Sequence, residues 1–237
     1  MHCNVDNGNM MRGPPVGDIC AGAPRNMTMI AAKMREAGYQ THAVGKFDAG
    51  MCSFESTPKG RGFDSSLIYF QHANDYYDSV DDPCNKTGMV DLWHHSDLKG
   101  IPEGPAYDVV NPTTCNPDLP NHPYPVGQPS CIYEDEILAE EVFSILRDHD
   151  PSKPLFLYYT PHIVHEPLMV PKAYYDKFAS VEHESRRRYL AMVSFVDTII
   201  GNLTSMLKEK GMWENTLWMG SADNGGPIYE HGLWPSN

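Results

Sequence analysis

Three short clusters in the sequence carry side chains able to hold an anion or a hard metal ion. In Gly45-Lys46-Phe47-Asp48-Ala49-Gly50, Lys46 could offer a fixed positive charge to an anionic group. Equally, a lysine after a strand is commonly a solvated surface residue. In Thr160-Pro161-His162-Ile163-Val164-His165-Glu166-Pro167, two histidines could bind an anion or transfer a proton, because free imidazole titrates near neutrality. Residue type alone leaves His162 and His165 as rivals, and either could simply satisfy a local hydrogen bond. The third cluster is Asp223-Asn224-Gly225-Gly226. A carboxylate and an amide oxygen suit Ca²⁺ or Mg²⁺, and the glycines bend the backbone away from the ion. The same letters also make an ordinary turn, and two ligands do not complete a metal site.

Elements must bring these clusters to one place. Residues 28–37 are predicted helical, with Ile30, Ala31, Met34 and Ala37 on one face, Asn26 or Thr28 at the start and Gly38 at the end. Residues 41–44 follow as a short strand, leaving Lys46 and Asp48 in the glycine-flanked turn beyond it. Residues 51–130 are rich in Pro, Gly, Asn and Asp with aromatics interspersed, and read as long ordered excursions. Helical spacing returns at 132–147 through Leu138, Val142, Ile145 and Leu146. The run Leu155-Phe156-Leu157-Tyr158-Tyr159 predicts a buried strand. A longer helix is predicted over 185–210, on Tyr189, Met192, Val193, Val196, Ile199, Ile200, Leu203 and Leu207, with Gly211 stopping it. Residues 216–220 read as another strand. This order implies an α/β fold with a mostly parallel central sheet flanked by helices, where ligands gather beyond the carboxyl ends of strands. Lys46, His165 and Asp223-Asn224 each follow an inferred strand, so they are expected to converge on one sheet edge.

Bulk properties narrow the function. The chain has 237 residues, 31 acidic and 18 basic side chains and a formal net charge of -13. That balance disfavours a nucleic-acid-binding surface, since phosphate contacts need dense Lys and Arg. No continuous apolar stretch approaches a membrane span, and residues 1–11 are too polar for a signal peptide. Asn-x-Ser/Thr triplets at Asn26, Asn85 and Asn202 nevertheless point to the secretory route. So do six cysteines, at 3, 20, 52, 84, 115 and 131, with no Cys-x-x-Cys pair to suggest zinc.

Longer matches bind these clusters together. The run Met29 to Tyr39 followed by Thr41-His42-Ala43-Val44-Gly45-Lys46 resembles the type I sulfatase segment that leads into a Gly-Lys-Trp-His-Leu-Gly motif. Further likenesses are Pro58 with Arg61-Gly62-Phe63-Asp64, then Asp75-Tyr76-Tyr77, and Lys153-Pro154-Leu155-Phe156-Leu157-Tyr158. Val164-His165-Glu166-Pro167-Leu168 with Val170-Pro171 is similar to the arylsulfatase B-like branch, as is Gly211-Met212-Trp213-Glu214-Asn215-Thr216 before Asp223. The resemblance covers roughly residues 24–227, in order. It implies a sulfuric ester hydrolase with an alkaline-phosphatase-like α/β fold, incomplete here: residues 1–23 match poorly and 24–237 form a partial catalytic domain. By the same resemblance Asp223 and Asn224 would help ligate Ca²⁺, Lys46 would contact the nucleophile and the sulfate, and His165 would contact the sulfate. His165 is preferred to His162 because the family's histidine stands two residues before the proline. The implied substrate is a sulfated carbohydrate or aryl sulfate ester. The implied nucleophile is formylglycine, made from cysteine by a formylglycine-generating enzyme.

The resemblance also has gaps. The Cys-x-Pro-Ser-Arg motif that becomes formylglycine is absent, and Cys20-Ala21-Gly22-Ala23-Pro24-Arg25 has the wrong spacing. The family's paired N-terminal aspartates and a later active-site lysine have no counterparts either. The expectation is a fragment or truncated gene model, inactive by itself, of a secreted or lysosomal parent. Asp48 stands where the family has histidine, and a carboxylate there would repel sulfate. Two rivals therefore stay open: a phosphate ester hydrolase of the same superfamily, and a catalytically inactive secreted binding protein.

Overall fold

A computed structural model of the chain describes residues 23–50, 53–70, 75–77, 91–106 and 132–222. The chain divides into two compact units. Unit 1 contains the sheet and unit 2 the longer helices.

In unit 1, helix α1 (Ile30–Glu36) leads into β1 (Gln40–Lys46), followed by β2 (Ser65–Tyr69), β3 (Trp93–Ser96), β4 (Ile101–Pro105) and β5 (Leu155–Thr160). These form one sheet in the order β4-β3-β2-β1-β5. β1 runs parallel to both β2 and β5, whereas β3 is antiparallel to β2 and to β4. The α/β class is as expected, but the sheet is mixed instead of mostly parallel. The reason lies in residues 51–130, which supply three strands that hydrophobic pattern does not reveal. β2 begins with two serines, β3 contains two histidines, and β4 carries two prolines and a glycine. Each polar entry has a partner. His42 Nδ1 meets Ser65 Oγ at 2.6 Å, and His95 Nδ1 meets Ser66 Oγ at 2.8 Å while its Nε2 donates to the Phe63 carbonyl. β4 tolerates proline because it is an edge strand.

α1 covers this sheet through Ala31, packed with Ala43, Phe47, Phe63, Ile68 and Phe70. The segment Arg61-Gly62-Phe63-Asp64 fastens it. The buried Arg61 guanidinium donates to the carbonyls of Ala23, Pro24 and Met27. Gly62, at φ +100°, lies so close to α1 that a Cβ there would meet Ala32 Cα at 2.5 Å. Asp64 accepts from Thr41 N at 2.9 Å and Thr41 Oγ1 at 3.0 Å. β5 is a strand as expected, but as an edge strand it is only half-buried, with Tyr158 exposed.

Unit 2 contains most of α2 (Glu134–Asp148), with α3 (Lys172–Tyr175) and α4 (Glu184–Glu209). α2 buries the expected Leu138, Val142, Ile145 and Leu146. α4 buries Arg188, Ala191, Met192, Phe195, Ile199, Leu203 and Leu207, a stripe rotated from the expected one, so that Val193 and Ile200 face outward. Each large apolar side chain so buried contributes about 1.5–3 kcal/mol. By length and composition alone, α4 is apolar enough to cross a membrane. Scattered polar residues such as Ser194, Asp197 and Asn202 hid this from a search for an unbroken apolar run. A third of its apolar 18-residue window is buried inside the protein.

The expected strand at 216–220 is not formed. Among the described residues it has no ladder partner, and Leu217 and Met219 are more than four-fifths exposed. A strand needs a neighbour to take its hydrogen bonds.

Candidate functional site

Lys46 is the last residue of β1, half-buried, and it is held by backbone geometry. β1 lies between β2 and β5, with Gly45 opposite Ile68 on one side and Thr160 on the other. A Cβ on Gly45 would lie 1.9 Å from the Thr160 carbonyl oxygen, and Gly45 sits at φ +102°, so only glycine fits. Thr160 Oγ1 then donates to the Lys46 carbonyl at 2.6 Å. Phe47 N donates to Tyr69 O, and the Phe47 ring enters the core. Asp48 is half-buried at φ 39°, an uncommon left-handed conformation for a residue other than glycine.

His165 belongs to unit 2 and is held by side chains. Its Nδ1–H donates to the Glu166 carbonyl at 2.6 Å, which sets the tautomer. The backbone around it is clamped. Tyr76 Oη donates to His165 O at 2.8 Å and His162 O at 3.3 Å, and Tyr133 Oη donates to Met169 O at 2.8 Å. The Tyr76 ring stacks on Tyr133 at 5.0 Å and on His162 at 4.0 Å. From α4, the buried Arg188 donates to Leu168 O.

The structure separates the two rival histidines. His162 is fully buried, with Nδ1 3.1 Å from Glu134 Oε1 and its backbone N–H donating to Asp135 Oδ1 at 3.1 Å. It fixes the segment, whereas His165 is half-buried beside it, the two rings 5.9 Å apart. Burial, and then the neighbouring Glu134 charge, push the Asp135 carboxyl well above the usual range, against the amides of Ile163 and His162. Burial likewise raises the Tyr133 phenol.

Sequence reasoning missed Glu134, Asp135, Tyr133 and Arg188. Glu134-Asp135-Glu136 looks like an ordinary solvated helix start, and only the helical spacing of Arg188 with Ala191, Met192 and Phe195 hints that it is buried. Asp223 and Asn224 lie outside the described residues, as do all six cysteines and Asn85. Asn26 and Asn202 are exposed. Among the described residues no group of three or more His, Cys, Asp or Glu could hold a metal ion, so these residues alone do not fit calcium.

Comparison with known proteins places the chain. The family model described as "Sulfatase" matches residues 4–236. Arylsulfatase J of Mus musculus is 32% identical over 213 residues, covering 90% of this chain and 31% of its own length. An arylsulfatase of Clostridium perfringens is 23% identical over 243 residues, covering 85% and 47%. The chain therefore spans less than half the length of these relatives. Among solved structures, Ps i-CgsB in complex with a neocarrahexaose superimposes with TM-score 0.57 at 21% identity, covering 83% of this chain and 40% of that one. PsFucS1 sulfatase from Pseudoalteromonas sp. gives 0.56 at 20%, covering 78% and 35%. At those identities the structures speak for the fold alone. The family match over nearly the whole length, joined to the arylsulfatase identity, establishes that the chain belongs to the sulfatase family.

Proposed function

We propose that this chain is the sulfate-recognising part of a sulfuric ester hydrolase, of the arylsulfatase B-like branch. The observation that carries the reading is the sulfatase match from residue 4 to 236. In this reading the Lys46 ammonium and His165 Nε2 contact the sulfate oxygens and offset the charge that develops as the S–O bond to the alcohol breaks. Asp223 and Asn224 supply two of the oxygens that a calcium ion takes. Formylglycine, in a longer parent, supplies the nucleophile. The substrate class is a sulfated carbohydrate or aryl sulfate. The carbohydrate is favoured by the neocarrahexaose bound to one fold neighbour, and by another (TM-score 0.53) described in terms of glycosaminoglycan metabolism.

The 237-residue chain alone, given calcium and an activated aryl sulfate, is expected to show no turnover. A longer gene product carrying Cys-x-Pro-Ser-Arg is expected to hydrolyse the sulfate, and Lys46→Ala or His165→Ala to cut kcat/KM by a hundredfold or more, about 2.7 kcal/mol. Preference for an aryl phosphate in the same assay would favour the phosphatase reading. Turnover by the short chain, lost on Lys46→Ala, would sink the fragment reading.

Asp48 favours a second reading, a secreted binding protein without catalysis. If Asp48 is what blocks activity, Asp48→His in the longer product restores turnover; no change would remove this argument. For either reading we propose secretion or lysosomal routing of the parent, with glycans on at least one of Asn26, Asn85 and Asn202. Expression in a secretory host followed by glycosidase should shift gel mobility. Cytosolic retention without a shift would count against the routing.

A further inference from the structure

In an acidic protein, one corner of unit 2 is cationic. Between Lys172 and Arg188 there are five Lys or Arg residues and three Asp or Glu, against 18 and 31 in the whole chain. Two of the cations are neutralised in place: Lys172 pairs with Asp176 at 2.5 Å, and Arg188 Nε with Glu184 at 2.7 Å. The other three, Lys177, Arg186 and Arg187, have no carboxylate within ion-pair distance among the described residues.

Two of those three are laid on aromatic rings. Lys177 Nζ stands 3.8 Å from the centre of the Tyr174 ring, and Arg187 Cζ stands 3.6 Å from that of Tyr175. Arg187 Nε also donates to Tyr175 O at 3.3 Å, and Tyr175 Oη is held by Glu184 at 2.7 Å. A cation over a ring keeps its full charge and its outward N–H donors while losing side-chain freedom before any ligand arrives. Arg186 is exposed beside them. These arginines do not serve the helix they occupy, because cations in a first turn oppose its dipole.

We propose that Lys177, Arg186 and Arg187, ordered on Tyr174 and Tyr175, form a docking surface for a sulfated polysaccharide chain. The guanidinium fork matches the paired oxygens of a sulfate. A narrow polyanion can follow one short cationic segment, whereas a duplex nucleic acid or a flat anionic bilayer presents a broad charge to a protein of net charge -13. The surface shares no residue with the Lys46 and His165 positions and needs no turnover, so it stands or falls separately from the hydrolase reading.

The test is titration of the 237-residue chain with a size-defined heparin oligosaccharide, with hyaluronan of equal length and with phosphatidylserine vesicles. Heparin is expected to bind in a salt-dependent way, and the triple variant Lys177→Gln/Arg186→Gln/Arg187→Gln to weaken it at least tenfold. Its salt slope should fall by about two to three, one for each cation removed. The control Lys33→Gln/Lys59→Gln/Lys153→Gln, with the same change in charge, should stay within twofold. Arg186→Gln alone, at an exposed side chain, covers the case in which the triple variant does not fold, and should weaken binding about twofold, a third of the tenfold range in affinity on a logarithmic scale, with the salt slope falling by about one. Equal binding by the variants and the parent chain, equal binding of hyaluronan, or preference for vesicles would overturn the proposal. Intact aryl sulfate hydrolysis by the longer gene product carrying the triple variant would show that the docking surface alone had been lost.

Discussion

Lys46 and His165 are held in place by opposite means. In unit 1, backbone does the holding: a central strand, a glycine that admits a carbonyl, and a threonine bridging to the next strand. In unit 2, residues 161–169 lie in no strand, and their carbonyls and amides are taken by Tyr76, Tyr133, Asp135 and Arg188. Buried histidines show the same division. His42 and His95 of unit 1 meet serine hydroxyls, whereas His162 of unit 2 meets a carboxylate. A hydroxyl satisfies a neutral imidazole without introducing charge. A buried carboxylate brings a charge that the surrounding fold must accommodate.

The backbone support of Lys46 depends most on Gly45. Gly45→Ala places a methyl group on a carbonyl at a backbone angle that L-residues avoid, and should cost more than about 4 kcal/mol. Amide hydrogen exchange should then show β1 and β5 unprotected, while the 162–170 segment keeps its protection if the two devices are independent. Loss in both would join them.

Acid acts on the two units with opposite sign. Burial chiefly, with His149, Lys99 and His95 adding and Asp64 opposing, lowers the His42 pKa from 6.5 to about 4. Because the folded value is depressed, unfolded chains bind the proton first. The stabilisation is whole above pH 6.5 and is lost as pH falls from 6.5 towards 4. A shift of that size is worth about 3 kcal/mol. Burial lowers His95 in the same direction. Asp135 has the opposite sign: its raised value favours the fold at low pH, and that contribution is lost as pH rises through the folded pKa. Denaturant melts followed by hydrogen exchange from pH 7.5 to 4.5 should show unit 1 weakening first, and His42→Gln should flatten its slope. An unchanged slope would mean that His42 is not the titrating group.

The smallest effect tests unit 2 alone. Asp135→Ala leaves the amides of His162 and Ile163 without their acceptor and should cost about 2 kcal/mol. Asp135→Asn keeps an acceptor oxygen, sheds the pH dependence and should cost less than half as much. Loss of exchange protection confined to 161–170 is the expected signature. Equal costs for the two variants would mean that the amide bonds do not matter.

How far the sequence could be read follows this same division. α2, β5 and α4 were legible because their side chains repeat at 3.6 residues or fall in apolar runs. α1 and β1 were legible as elements, but of the face expected on α1 only Ala31 is buried, Ile30 and Ala37 are exposed, and Met29 stands at the cap instead of Asn26 or Thr28. Lys46 was legible as a residue at the end of β1, but the turn expected to begin at Gly45 is not there, because Gly45 and Lys46 still pair within the strand. β2, β3 and β4 were not legible, since Ser65, His95 and Pro102 lie in strands only because of neighbours distant in sequence. His162 and His165 were indistinguishable by residue type, and the family's spacing to Pro167 favoured His165.

By itself, then, the sequence determined the local elements and the family, since periodicity, turn residues and short motifs act over a few positions. Tertiary structure decided that the sheet is mixed, that 216–220 does not pair, that α4 turns Val193 and Ile200 outward, and that Glu134, Asp135 and Arg188 lie buried beneath the His165 segment. Pairing and burial depend on which distant groups can share a hydrogen bond or exclude water together. No window of adjacent residues contains that information.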